Sequence, residues 1–414
     1  MGKTIAEKLF SMKSGMDVNA GSICMAQVDF AMMHDVNAPF AIDAFAEIED
    51  GRIFDTSKVA VVLDHFSPAP SYDAAQRHKN IENFSKQHGL KLYGPGEGIC
   101  HQLLLENGHV GPGDLVAGTD SHTCSYGALN AFGLSVGATE MAVILASGVC
   151  WFRVPESVSI ELVGALHDGV TSKDISLEFI SKLTEAGGVY KSLEFHGAGL
   201  TSLTIDSRIV LCNMASEVGV KSAVMPCDKA VNDWRAERGM PVRTGIEADS
   251  DAVYSNSLTI DLSALKPKIA LSPVIEDVVD VDEMAGAPVH QVVIGSCTNG
   301  RYEDFEQAAG YLRGRHIADS VRLILVPASR QILSKMVQEG LVQTFLDAGA
   351  MILPPGCGPC AGIHGGLMAD GEVVLSTTNR NVQGRMGSKK ADIHIVSPAT
   401  AAISAVTGKI TSPI

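Results

Sequence analysis

The chain has 414 residues, 46% of them hydrophobic, enough for more than one core; about 150 residues per domain suggests two or three domains. A formal net charge of −15 argues against binding a phosphate backbone, which needs clustered Lys and Arg. No apolar run reaches the roughly 18 residues of a membrane span. Residues 1–8 put no apolar stretch behind their basic residue, so no signal peptide is expected. Nine cysteines at irregular spacing make a poor disulfide framework. They point to a reducing, cytoplasmic setting, where cysteines serve as ligands, nucleophiles or buried apolar residues.

Residues 4–13 predict a short amphipathic helix with Ile5, Leu9 and Phe10 on one side. Residues 28–35 are mixed in character, and Pro39 predicts the opening of a helix over 40–48. The continuous β-branched run 59–63 predicts a buried parallel strand. It ends in Asp64-His65, at the carboxyl edge where α/β sheets place ligands. A helix over 73–88 and a strand over 90–93 follow. Then comes Gly94-Pro95-Gly96-Glu97-Gly98-Ile99-Cys100-His101, which looks superficially like a phosphate loop. Its Pro and Glu, and the lack of a helix start after it, argue against a dinucleotide.

Residues 114–118 predict a strand ending in Thr119-Asp120-Ser121-His122-Thr123, and the small residues of 127–146 predict a closely packed helix. Residues 158–162 alternate and predict a strand with one exposed face. A helix over 172–186, a short strand over 203–205 and a helix over 208–218 come next. In the last of these, Asn213 and Glu217 are four apart and share a face. Residues 228–262 read as a polar, surface-facing excursion. Strands over 289–294, 321–327 and 349–353 alternate with helices over 302–314 and 329–339. The pattern is α/β, with boundaries near Pro155 and Leu262 dividing the chain into 1–155, 156–262 and 263–414.

Three constellations carry chemistry. Cys297, Cys357 and Cys360 are spaced C-x59-C-x2-C in Gly/Pro-rich turns. A closed zinc site would need a fourth ligand such as Cys100, Cys124 or His364, whereas three thiolates with an open position suit an iron–sulfur cluster. A buried cysteine beside a plain turn, or a redox pair, are the alternatives. Asp64-His65, His101 and Asp120-Ser121-His122 set imidazoles beside carboxylates, which raise a histidine's pKa and fix its tautomer. Arg380 and Arg385 lie in a polar Gly-containing loop; they suit carboxylate clamping or a solvated basic loop.

Taken together, several stretches resemble the aconitase superfamily: Asp64-His65, Gly98-Ile99-Cys100-His101-Gln102, Gly118-Thr119-Asp120-Ser121-His122-Thr123, Cys212-Asn213-Met214 with Glu217, Gly295-Ser296-Cys297-Thr298-Asn299-Gly300, Pro355-Gly356-Cys357-Gly358-Pro359-Cys360 and Thr378-Asn379-Arg380-Asn381 with Gly384-Arg385. Within the superfamily the likeness is to the large subunits of the isopropylmalate and homoaconitate hydro-lyases. The motifs run in family order from about Asp29 to Arg385.

The resemblance implies three α/β/α layered domains around a cleft holding a [4Fe–4S] cluster on Cys297, Cys357 and Cys360, with one iron open to substrate. It implies His65, paired with Asp64, as the acid that protonates the departing hydroxyl. His101 with Asp120, and His122 with Glu217, would position water and substrate. Ser121, Asn213, Asn299 and Asn379 would hydrogen-bond near cluster or substrate, and Arg380 and Arg385 would hold carboxylate. His34 stands where aconitase itself has a substrate-binding glutamine, which favours the isopropylmalate/homoaconitate branch, with a methylated malate as a further candidate substrate. The swivelling fourth domain of single-chain aconitases is not part of these 414 residues, so by analogy a separate small subunit supplies the serine base. A cluster-bound regulatory protein without catalysis is the alternative from another class.

Overall fold

Continuous apolar runs become strands buried on both faces. Val59–Val62, Leu115–Gly118 and Gln291–Gly295 expose no side chain, as parallel strands covered by helices on each side require. The computed structural model describes residues 2–48 and 51–414 and arranges these strands in three sheets and one ribbon.

The first sheet has five parallel strands in the order Lys91–Tyr93, Val59–Val62, Phe30–His34, Leu115–Gly118, Phe132–Ser135. Phe30–His34 lies at its centre and is wholly buried. The segment of mixed character is thus a fully buried strand that ends in His34. Chain order reverses between Phe30–His34 and Leu115–Gly118, so the crevice beyond their carboxyl ends is a topological switch point. The second sheet is also parallel, in the order Ser222–Val224, Lys191–His196, Glu156–Val163, Asn256–Asp261. Glu156–Val163 is central and buried on both faces, not one, over most of its length.

The third sheet runs Val278–Asp280, Lys268–Ala270, Asp392–Val396, Val373–Ser376, Gln291–Gly295, Arg322–Val326, Met351–Ile352. Lys268–Ala270 runs antiparallel to both of its neighbours, and the five strands from Asp392–Val396 onward are parallel. Here the switch point lies between Gln291–Gly295 and Val373–Ser376, the strands that lead into Cys297 and Asn379. The carboxyl edges of the first and third sheets meet. Cys357 N–H donates to the Asp64 carbonyl at 3.0 Å, and Ile99 N–H donates to the Ala328 carbonyl at 2.8 Å.

Several local expectations are corrected. Residues 127–146 form no continuous helix. A 3-10 segment Ser121–Leu129, the strand Phe132–Ser135 and the helix Ala138–Ser147 replace it. The small residues serve close crossings instead: a Cβ on Gly133 would stand 2.0 Å from the Thr123 carbonyl oxygen. A helix, Cys100–Glu106, does start directly after the Gly-rich loop. Its first N–H donates to Asp64 Oδ2 at 2.8 Å, so a carboxylate occupies the place a phosphate would take. Thr204 lies in no strand. It caps the helix Ile205–Met214, accepting from Ser207 N–H. The 228–262 segment contains the helix Lys229–Glu237 and the sheet-edge strand Asn256–Asp261, and Trp234 is buried.

Candidate active site

The first switch point gathers the imidazoles and carboxylates. His34 ends its strand, Asp64 and His65 follow theirs, and Asp120 follows Leu115–Gly118 as N-cap of the 3-10 segment. Helix Cys100–Glu106 brings in His101. His65 Nδ1 lies 2.7 Å from Asp64 Oδ1, and its Nε2 lies 3.5 Å from Asp120 Oδ2. Asp35 accepts from the backbone N–H of His65 and Phe66 at 3.1 and 2.9 Å, and pairs with His78 Nε2 at 3.0 Å. Burial opposes a charge on His65, but the Asp64 carboxylate, with Asp120, outweighs it and holds the imidazole well above the ordinary histidine range. His34 stacks on His65 with ring centroids 4.3 Å apart. Burial, and then repulsion by His65, lower its pKa. Its Nε2 contacts the Thr119 carbonyl at 3.2 Å, and its buried Nδ1 has no partner among the described residues.

Asp120 is the hub. Its Oδ1 meets His101 Nε2 at 2.8 Å, His122 N–H at 2.7 Å and His122 Nδ1 at 3.2 Å. Burial would raise its pKa, but His101, His122 and His65 hold it well below the usual carboxylate range. His122 Nε2 lies 3.1 Å from Glu217 Oε1. Burial is again outweighed, by Asp120 and Glu217, and His122 is pushed up to about 9. Glu217 accepts Arg380 Nε on both oxygens at 3.0 Å, and Arg380 also donates to Ser121 Oγ at 3.0 Å.

The second switch point gathers the thiols. Gly295 has φ 136°, and a Cβ there would stand 2.1 Å from the Val326 carbonyl oxygen, so the turn into Cys297 requires glycine. Cys297, Cys357 and Cys360 are free and buried. Asn379 bridges them, donating to Cys297 Sγ at 3.3 Å and accepting from Cys360 Sγ at 3.5 Å. Asn213 Oδ1 accepts from Asn379 at 3.1 Å and from Thr298 at 2.9 Å. The Cys357 thiol donates to Cys360, which keeps Cys357 protonated and favours the thiolate on Cys360; Arg385 and His122 reinforce that thiolate.

Among the described residues, the side-chain groups with all ligand atoms within 4.8 Å of one another are His34/Asp35/Asp64/His65 and His101/Asp120/His122. The three cysteines do not form so compact a set. Their spread suits a polynuclear group better than a single zinc ion, and soft sulfur ligands with an amide donor beside them suit iron and sulfide.

Two expected residues stand apart. Asn299 donates to Asp304 Oδ1 at 2.7 Å and bonds to none of the three thiols. Arg385 acts on Cys360 through its charge, and its buried Nε has no partner among the described residues. Sequence reasoning missed Asp35, Lys173 and Arg301. Arg301 is wholly buried and donates to the carbonyls of Thr298 and Cys297 at 2.7 and 2.9 Å and to Gln102 Oε1 at 3.1 Å. Lys173, also wholly buried, donates to the carbonyls of Thr377 and Thr378, each at 2.8 Å. Adjacency to His34 at a strand's end was the available signal for Asp35; the two cations have none, because they bind backbone.

An open cavity of about 680 Å³ gives access to His34, His65, Asp120 and Ser121, with Val36, Val136 and Ile363 as apolar wall and Lys221 at its rim. Residues 7–289 and 282–408 match the model of the aconitase family (aconitate hydratase). The chain is 44% identical to 3-isopropylmalate dehydratase large subunit 1 of Methanopyrus kandleri, over 100% of this chain and 99% of that one. It is also 44% identical, at the same coverage, to 3-isopropylmalate dehydratase large subunit 1 of Thermotoga maritima. Among solved structures, the holo-form of Thermococcus kodakaraensis aconitase X superposes with a TM-score of 0.51 at 13% identity, covering 88% of this chain and 84% of that one, which shows a shared fold. Fold, motif order and full-length similarity together make this chain a member of the aconitase family.

Proposed function

We propose that the chain is the large subunit of a 3-isopropylmalate dehydratase, a hydro-lyase that removes a hydroxyl from a hydroxy dicarboxylate and returns it to the neighbouring carbon. The observation that carries the reading is the His65–Asp64 pair at 2.7 Å, with His65 lining a cavity beside Ser121, to which Arg380 donates from the third sheet's side. The full-length relatives with that name support it.

Cys297, Cys357 and Cys360 would hold a [4Fe–4S] cluster. When bound, that group supplies a Lewis acid for the substrate's hydroxyl and one carboxylate. Asn379 and Asn213 fix the orientation of the thiols. His65 is the proton donor: its imidazolium gives the Nε2 proton to the departing hydroxyl, which leaves as water, and Asp64 and Asp120 hold the charged ring in place. His101–Asp120 and His122–Glu217 orient the water and substrate. Arg380, steadied by Glu217, binds carboxylate beside Ser121, and Arg385 adds positive charge near Cys360. The carbon-bound proton goes to a base on a separate small subunit, for which we infer a serine.

The test is reconstitution with iron, sulfide and reductant, followed by assay of the dehydration of 3-isopropylmalate with the cognate small subunit. His65→Asn is expected to lower turnover by about 10²–10⁴-fold with iron content retained, and Cys357→Ser to lose the cluster. Turnover unaffected by His65→Asn, or a wild-type chain that takes up no iron, refutes the reading.

A further inference from the structure

The antiparallel ribbon formed by Ile23–Gln27 and Val149–Arg153 stands outside the three sheets. Its inner residues, Cys24, Ala26 and Cys150, are buried. On its outer face Met25 lies directly opposite Trp151, and Ile23 opposite Arg153. Ile23 is 69% exposed, and Met25 and Trp151 55% each. Large apolar side chains that adjoin one another on an outer surface mark an interaction site far better than scattered ones.

The ribbon's outer face runs into the reaction cavity. Trp151, Arg153, Tyr190 and Lys221 line a neighbouring hollow that shares Ser135, Val136, Gly137 and Lys221 with the cavity holding His65 and Asp120. Arg153 and Lys221 both stand over the Tyr190 ring, at 5.4 and 5.0 Å from its centroid. Neither forms an ion pair among the described residues, in a chain of net charge −15. The surface is therefore an apolar anchor with two cations and one carboxylate, Glu140, leading to the open mouth of the site.

We propose that this face, centred on Met25 and Trp151 and flanked by Arg153 and Lys221, is the docking surface for the separate small subunit. The inference rests on the reading of the chain as a large subunit. The occupant has to lie across the cavity mouth to place a base over the substrate, and the apolar face is continuous with that mouth. The partner surface it fits is an apolar patch with carboxylates at its edge. Trp at the centre of a patch is the residue type that most often dominates binding.

The test uses the iron-loaded large chain and its cognate small subunit, with affinity read by titration calorimetry. Trp151→Asp and Met25→Asp are each expected to weaken binding at least tenfold, with iron content and circular dichroism unchanged. Leu346→Asp, at an exposed apolar position on a helix of the third sheet, is the control and leaves affinity unchanged. Arg153→Glu is expected to slow association and reduce its salt dependence. Wild-type affinity in both ribbon variants overturns the proposal, as does an effect confined to self-association of the large chain, which would make a second copy the occupant. A pair that binds tightly through the ribbon but turns over no 3-isopropylmalate refutes the functional reading and leaves the docking surface standing.

Discussion

His65 Nδ1 lies 2.7 Å from Asp64 Oδ1, while Asp64 Oδ2 is held by the Cys100 N–H at 2.8 Å. With both oxygens engaged the carboxylate cannot rotate, and the ring's Nε2 is directed toward Asp120. Burial disfavours the imidazolium, Asp64 outweighs burial, and the folded pKa stands well above 6.5. The ring's contribution to stability is thus complete below 6.5 and is lost as pH rises through the folded value.

Asp64→Asn removes the dominant anion and lowers that pKa. The alkaline limb of the pH–rate profile is expected to move to lower pH, with turnover at pH 8 down by about 10²-fold. A limb that stays in place would show that another group donates the proton.

Arg301 ties the carbonyls of Thr298 and Cys297 to Gln102. Arg301→Met leaves buried acceptors unpaired at a thiol-bearing turn. The expected loss is about 3 kcal/mol in urea denaturation, together with less iron retained per chain after gel filtration. Unchanged stability would mean that water replaces the guanidinium.

Lys173 links the second sheet's unit to the third, binding the carbonyls just ahead of Asn379 and Arg380. Burial pushes its pKa down to about 7. Its contribution is complete above 10.5 and is lost as pH falls through about 7. Lys173→Met is therefore expected to cost about 2–3 kcal/mol at alkaline pH, less at pH 6, and to raise KM by displacing Arg380. Denaturation curves at the two pH values and a KM measurement decide it.

Glu303 accepts from Thr204 and Ser207 of a neighbouring helix at 2.6 and 2.8 Å. Burial, with Asp206 and Asp304 beside it, pushes its carboxyl up to about 7. The contribution to stability is complete below 4.5 and is lost as pH rises through 7. Glu303→Gln should match the wild type at pH 4.5 and exceed it by about 1–2 kcal/mol at pH 8. A gap that does not change with pH argues against an ionised Glu303.

Residues buried on both faces were the most legible part of the fold. The run ending at Asp64 reads as a buried parallel strand because nothing polar interrupts it, and that puts Asp64 and His65 at a carboxyl edge; the run 289–294 carries His290 and Gln291 and reads only as a strand ahead of the turn bearing Cys297. Residues 127–146 misled because small side chains serve a packed helix and a tight crossing equally well. The partners of Gly133 are distant backbone atoms that the sequence does not display. The site's acids, imidazoles and thiols were legible as types. Asn299's turn toward Asp304 and the straps of Arg301 and Lys173 were not, since each depends on which carbonyl or carboxylate packing brings within reach.

The bond from Cys357 N–H to the Asp64 carbonyl joins the loop bearing two of the thiols to the loop bearing His65. On the proposed function that bond gives the two loops one shared alignment, so this chain works as an anvil and the moving tool is assigned to the small subunit. An enzyme divided in this way can be retargeted by exchanging the cap while the reacting centre keeps its alignment.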